Sequence, residues 1–216
     1  MRYRLIVFDW DGTLVDSASA IVECIQQAAR ELGLRVPARE RASHVIGLGL
    51  QDSLRLAVPD LPEARTMDFV ASYRREFLAR EDRMQAFPGI AALLESLRQR
   101  GHVLAVATGK SRRGLERALD GCALRPFFRA TRCADETDPK PHPAMLRELM
   151  HELAAHPGQV LMIGDTTHDL QMAASAGVDA VAVCYGAHAE SDLRRLAPRA
   201  CLSSVEELER WLTTHA

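Results

Sequence analysis

Four short apolar runs lie far apart along the chain: Leu5-Ile6-Val7-Phe8, Val103-Leu104-Ala105-Val106-Ala107, Val160-Leu161-Met162-Ile163 and Ala180-Val181-Ala182-Val183. Each is continuous rather than alternating, which predicts strands buried on both faces. Between them the apolar period is helical. Ile21, Cys24, Ile25, Ala28 and Leu32 form one stripe that ends at Gly33, and Val70, Tyr73, Phe77 and Leu78 form another. Pro88-Gly89 opens a helix carrying Ile90, Leu93, Leu94 and Leu97, which Gly101 closes. Further helices are predicted over Ser111 to Leu119, His142 to Leu153, Leu170 to Ala176 and Val205 to Leu212. Strands alternating with helices imply right-handed crossovers, hence an α/β fold: a Rossmann-like parallel sheet with helices on both faces.

One stretch departs from this alternation. From about Asp16 to Arg83 the pattern stays helical, broken at Pro37 and at Pro59-Asp60-Leu61-Pro62, with no strand-like alternation. It predicts an α-helical cap domain over 16–83, inserted into an α/β core made of 1–15 and 84–216. Two chain crossings joining the parts suit hinge motion.

Composition narrows the class. The 216 residues are 47% hydrophobic and 26% charged, as in a globular chain. A net charge of -2 gives no reason to expect nucleic acid or an anionic membrane as partner. Five dispersed cysteines (Cys24, Cys122, Cys133, Cys184 and Cys201) without a C-x-x-C pair favour reduced thiols. The first apolar run ends too early, at Asp9, for a signal peptide, and no stretch has the roughly 20 apolar residues a spanning helix needs. A soluble cytoplasmic protein is expected.

The chemistry concentrates where the predicted strands end. Asp9-Trp10-Asp11-Gly12-Thr13 follows the first, Thr108-Gly109 the second and Gly164-Asp165 the third. Ligands of open parallel sheets bind outside these carboxyl ends, so the fold gathers distant residues at one place. Asp169 lies about one helical turn beyond Asp165. Lys140 stands in Asp138-Pro139-Lys140-Pro141-His142-Pro143, a loop its prolines stiffen. Converging carboxylates call for a hard divalent cation; Mg²⁺ favours few carboxylates, retained waters and a phosphate oxygen. A lysine, a hydroxyl and strand-end N–H groups suit the other phosphate oxygens. One carboxylate can attack phosphorus, and a second close to it resists ionising with it and so suits a general acid. Other signals fail. Gly47-Leu48-Gly49-Leu50 follows no strand and is not a dinucleotide fingerprint. His151 and His156 are one residue too far apart to share a metal on a helix. His168 and His188 are read as surface residues.

Asp9-Trp10-Asp11-Gly12-Thr13, Thr108, Lys140 and Gly164-Asp165-Thr166-Thr167-His168-Asp169 resemble, in order, the four motifs of the haloacid dehalogenase superfamily. The likeness covers essentially the whole chain, and the inserted helical cap is similar to that of phosphoglycolate phosphatases. The resemblance implies a Mg²⁺-dependent phosphatase of a small phosphorylated metabolite, monomeric or homodimeric, working through an aspartyl-phosphate. Asp9 is then nucleophile and metal ligand, and Asp11 the general acid and base, with its carbonyl on the metal. Thr108, Gly109 and Lys140 bind phosphate. Asp165 and Asp169 complete the metal site, and Gly47, Leu48 and Gly49 resemble a substrate-specificity loop offering backbone N–H groups. Trp10 stands where such motifs often carry Phe, Leu or Met. Asp11 favours phosphoryl transfer over halide release, since dehalogenases lack this second aspartate. A phosphoryl mutase resembling β-phosphoglucomutase, a pyrophosphatase-type relative and a non-enzymatic binding protein are the alternatives.

Overall fold

A computed structural model describes residues 2–216. The first strand, β1 (Leu5–Phe8), is followed by four helices, α1 (Ala18–Glu31), α2 (Arg39–His44), α3 (Leu50–Ala57) and α4 (Thr66–Leu78). Alternation then begins: α5 (Ile90–Gln99), β2 (Val103–Thr108), α6 (Arg112–Gly121), β3 (Ala130–Cys133), α7 (Ala144–Glu152), β4 (Val160–Gly164) and α8 (Thr167–Ala176). The chain closes with β5 (Asp179–Val183), α9 (Glu190–Arg194), β6 (Cys201–Leu202) and α10 (Val205–His215). The six strands pair in the order β3-β2-β1-β4-β5-β6, all parallel. The order reverses at β1, where the chain steps to β2 on one side and β4 on the other; this is the crevice at which open α/β sheets bind ligands.

The continuous apolar runs serve both faces at once. Ile6, Phe8, Leu104, Val106, Leu161 and Ile163 pack on one side with Leu93 and Leu94 of α5, Leu115 of α6 and Leu208 of α10. Leu5, Val7, Ala105, Val160 and Met162 pack on the other with Met145 and Leu149 of α7 and Met172 of α8. Period-2 alternation thus persists inside runs that look uniformly apolar.

Helices α1 to α4 bury a cluster of their own, including Ile21, Val22, Ile25, Ala28, Leu54 and Phe69. The two chain crossings that join this insertion to the sheet are hydrogen-bonded to each other: Asp16 N–H donates to the Gln85 carbonyl and Phe87 N–H to that of Leu14, both at 3.0 Å. Val15 and Ala86 form an antiparallel bridge between them.

Two strands have no counterpart among the four apolar runs. Strand β3 reads Ala-Thr-Arg-Cys and lies at a sheet edge, with its two central residues half-buried. Arg132 there is held by Glu148 and Glu152 of α7, each at 2.7 Å, so its polarity is satisfied by the neighbouring helix. Strand β6, at the other edge, has two residues. Helix α8 starts at Thr167, three residues before its first apolar position. Thr166 and Asp169 form a capping box that supplies the missing turn. All five cysteines are unpaired, and among the described residues no helix is long and apolar enough to cross a membrane.

Candidate active site

The crevice at the sheet's reversal point holds a buried charge cluster. Asp9 ends β1 and Asp165 ends β4, two strands that pair directly. One carboxylate oxygen each from Asp9, Asp165 and Asp169 lies within 4.8 Å of the others. Lys140, 1% exposed, reaches into this group. Its Nζ donates to Asp9 Oδ1 at 2.6 Å and stands 2.6 Å from Asp169 Oδ1 as an ion contact. Three carboxylates around one ammonium leave a surplus of negative charge where water is excluded. Asp9 Oδ2 is buried and has no hydrogen-bond partner. Such an orphan is costly unless something positive completes it.

The surplus shows in the acid–base behaviour. Burial holds the Asp9 carboxyl well above the ordinary carboxylate range, against the pull of Lys140, and the charges of Asp169 and Asp165 push the same way. Burial, then the charge of Asp169, raises Asp165 to about 7. Burial opposes the Lys140 charge, but Asp169 and Asp9 outweigh it and hold the ammonium on. An oxygen-lined, net-negative pocket with an unpartnered carboxylate oxygen fits a small hard cation such as Mg²⁺.

Local structure fixes each group. Asp165 accepts from the Thr13 hydroxyl at 2.8 Å and from the Ala187 N–H at 2.7 Å, so two loops clamp its carboxylate. A Cβ at Gly12 or Gly186 would lie 2.2 Å from Asp165 Oδ2; only glycine permits that approach. Asp169 Oδ2 accepts from the backbone N–H of Thr166 at 3.1 Å and its hydroxyl at 2.7 Å, so its capping role also aims its other oxygen at Lys140. Thr108, 1% exposed, ends β2 beside β1, and its hydroxyl accepts from the Lys110 N–H at 3.2 Å.

Asp11 faces a different way. Its Oδ1 accepts from the Ser17 hydroxyl at 2.6 Å, and its Oδ2 lies 3.0 Å from Lys110 Nζ. The two carboxylates of Asp9-Trp10-Asp11 therefore diverge, one to the Lys140 cluster and one to a separate ammonium. Trp10 between them is buried in the core against Phe128. Sequence reasoning missed Lys110 and Ser17. The signal for Lys110 was present, because it follows Thr108-Gly109 at the end of β2.

The 47–49 turn of the insertion sits on the core loops. At Gly109 a Cβ would be 2.5 Å from the carbonyl oxygens of both Gly47 and Leu48; at Gly49 it would meet Ala134 and Pro139. Gly47 adopts φ +90 and packs near Thr166. The turn brings carbonyls, not N–H groups, onto Gly109, and the Leu48 N–H is spent on the Val45 carbonyl at 3.3 Å. The Leu48 N–H is therefore taken within the turn itself. Gly109→Ala would force backbone apart from backbone, so thermal unfolding should show a loss of about 1–3 kcal/mol. An unshifted melting curve would count against this packing.

His168 and His188 are not surface residues, as their sequence context implied. They are 8% and 6% exposed and cluster with His44 at the end of α2. His168 Nε2 donates to the His44 carbonyl at 2.8 Å and His188 Nε2 to the same oxygen at 3.2 Å, while His188 Nδ1 accepts from the Thr167 N–H at 3.1 Å. Burial lowers His168, and burial with the neighbouring histidines pushes His188 down to about 4. Both act as neutral pins between insertion and core.

Comparison with known proteins identifies the family. A family model for haloacid dehalogenase-like hydrolases matches residues 6–183. The chain belongs to the haloacid dehalogenase-like hydrolase family. It is 35% identical over 210 residues to the probable phosphatase IndB of Dickeya dadantii, covering 94% of this chain and 91% of that protein. It is 33% identical to a 5'-nucleotidase of Pseudomonas aeruginosa over 100% of this chain and 98% of that one. With a phosphoglycolate phosphatase of Pseudomonas putida it shares 31% identity over 85% of this chain and 70% of the relative. Among solved structures, that of a predicted phosphatase from Clostridium acetobutylicum superposes with a TM-score of 0.86 at 25% identity, covering 99% of this chain and 100% of the other. The haloacid dehalogenase-like fold is thus shared over the full length.

Proposed function

We propose that this haloacid dehalogenase-like hydrolase is a phosphatase of small phosphorylated metabolites, acting through a phosphorylated Asp9. The carrying observation is the buried cluster at the sheet's reversal point, where Asp9 Oδ2 has no partner and the negative charge exceeds the one ammonium present. Asp9, Asp165 and Asp169, with the Asp11 carbonyl, would hold Mg²⁺. When bound, the ion neutralises the cluster and polarises the phosphoryl group.

The chain's residues then divide the reaction. Lys140, itself paired with Asp169, donates to Asp9 Oδ1 and fixes the orientation of the carboxylate that attacks phosphorus. As the new Asp9–phosphorus bond forms, the ester bond breaks, and Asp11 gives its proton to the leaving oxygen. Asp11 then takes a proton from water whose oxygen attacks phosphorus, the Asp9–phosphorus bond breaks, and inorganic phosphate leaves with both aspartates restored. Ser17 fixes the Asp11 carboxylate from one side. Thr108, the Gly109 N–H and Lys140 orient the phosphoryl oxygens. In this reading residues 16–83 form a cap that hinges on the paired crossings at 14–16 and 85–87. Closure seats Gly47, Leu48 and Gly49 over the site and excludes water. Phosphoglycolate is the leading substrate, supported by the Pseudomonas putida relative.

The test is phosphate release across a panel of phosphate monoesters with and without Mg²⁺. We expect turnover with Mg²⁺ and its loss on chelation. Exchange between sugar phosphate isomers without net release would favour the mutase, and no turnover of any ester would end the phosphatase reading.

A further inference from the structure

Lys110 has no part in the reaction just described, yet it lies beside it. Its side chain is 10% exposed and its ammonium stands 3.0 Å from Asp11 Oδ2. It also lies 4.7 Å from the centre of the Phe77 ring, over its face. Phe77 comes from α4 of the insertion and packs 5.9 Å from the Tyr73 ring, one helical turn earlier. Burial, with the Asp11 charge, pushes the Tyr73 hydroxyl up and keeps it protonated. Asp11 and Lys110 at the strand ends thus meet Phe77, with Tyr73 beside it, from α4 of the insertion.

The geometry points to an anion subsite at this junction, with Lys110 recognising a negative charge on the alcohol half of the substrate. The inference rests on the phosphatase reading, because that reading puts the leaving oxygen against Asp11. A group one or two bonds beyond that oxygen then lies within reach of Nζ. An ammonium has three N–H donors, and among the described residues Asp11 is its one ion-pair partner. A carboxylate or second phosphate on a short alcohol can take the others, while the Phe77 ring keeps the ammonium partly dry and its attraction unscreened. The substrate class is thus a short phosphate ester whose alcohol is itself anionic, not a neutral sugar or nucleoside.

The test compares kcat/KM for 2-phosphoglycolate, for its neutral counterpart 2-hydroxyethyl phosphate and for a nucleoside 5'-monophosphate, in wild type, Lys110→Gln and Lys110→Arg. Wild type should prefer phosphoglycolate to hydroxyethyl phosphate by about 10- to 100-fold, the span of one charge-assisted hydrogen bond. Lys110→Gln should collapse that preference, mostly through the KM of phosphoglycolate, and Lys110→Arg should retain most of it. Melting curves confirm that the variants fold. A preference that survives Lys110→Gln, with both esters falling together, would show Lys110 acting only by orienting Asp11 and would overturn the proposal. Wild-type preference for the nucleotide or the neutral ester would overturn it too, while leaving the phosphatase reading standing. If wild type hydrolyses none of the three, nor p-nitrophenyl phosphate, the phosphatase reading itself fails and this one with it.

Discussion

Asp9→Asn should abolish phosphate release while leaving the fold intact. The amide keeps the shape of the carboxylate, and its oxygen still accepts from Lys140 Nζ, which lies 2.6 Å from Asp9 Oδ1 in the parent. It cannot attack phosphorus. Removing a covalent nucleophile costs roughly 10⁴-fold or more in turnover. The same change should raise the melting temperature of the metal-free protein at pH 8. Burial and the charges of Asp169 and Asp165 disfavour the ionised form of Asp9 in the folded state. A neutral isostere removes that penalty, and the unfolded chain never carried it. Chelated samples of both proteins, compared by initial rates and by calorimetry, check the two halves separately. Activity within tenfold of the parent would exclude Asp9 as nucleophile. A lower melting temperature would mean that the ion pair with Lys140 outweighs burial and repulsion.

The opposite outcome is expected at Lys140. Lys140→Met replaces a fully buried ammonium, 0% exposed at the side chain, with an apolar chain of similar length. Asp9 and Asp169 are then left in the core without their counter-charge. Breaking a buried pair by removing one partner costs about 3–5 kcal/mol. At about 2–4 °C per kcal/mol for a chain of this size, the melting temperature should fall by roughly 6–20 °C. The loss should depend on pH, and Asp165 sets the window. Its carboxyl sits at about 7 when folded and near 3.9 when unfolded. Between those values the folded state holds a proton that the unfolded state has released. Its contribution to stability therefore falls as pH rises from about 4 to about 7, then levels off. Asp9, raised in the same direction, adds to the fall. Metal-free wild type should accordingly be less stable at pH 8 than at pH 5, and Lys140→Met should steepen that difference. Added Mg²⁺ should restore more stability at pH 8, because binding there displaces fewer protons. A Lys140→Met protein that melts with wild type at both pH values would sink this account.

Much of this molecule was legible in its pattern of apolar positions. Four of the six strands are runs such as Leu5-Ile6-Val7-Phe8, where burial on both faces leaves an unmistakable apolar block. Strands β3 and β6 escaped because edge strands need no such block. Arg132 can sit mid-strand when α7 supplies Glu148 and Glu152 to hold it. The helical insertion was visible through its unbroken period, and Gly33, Pro37 and Pro59 gave its breaks. The acidic and basic members of the buried cluster stood out for one reason: each follows a strand end or occupies a proline-stiffened loop, and a parallel sheet gathers such positions at one edge.

What the chain's order could not disclose is which charge meets which. Asp9 and Asp11 are two residues apart, and adjacency implied that each would govern the other. The fold turns them to different ammonium groups, Lys140 and Lys110. The inward position of His168 and His188, and the carbonyls of Gly47 and Leu48 resting on Gly109, likewise depend on how the insertion docks. Local sequence determines strand, helix and turn because hydrogen bonding and hydrophobic period are short-range. Charge pairing and desolvation depend on separation through space, and that is decided only when residues 131 positions apart, as Asp9 and Lys140 are, close to within a hydrogen bond.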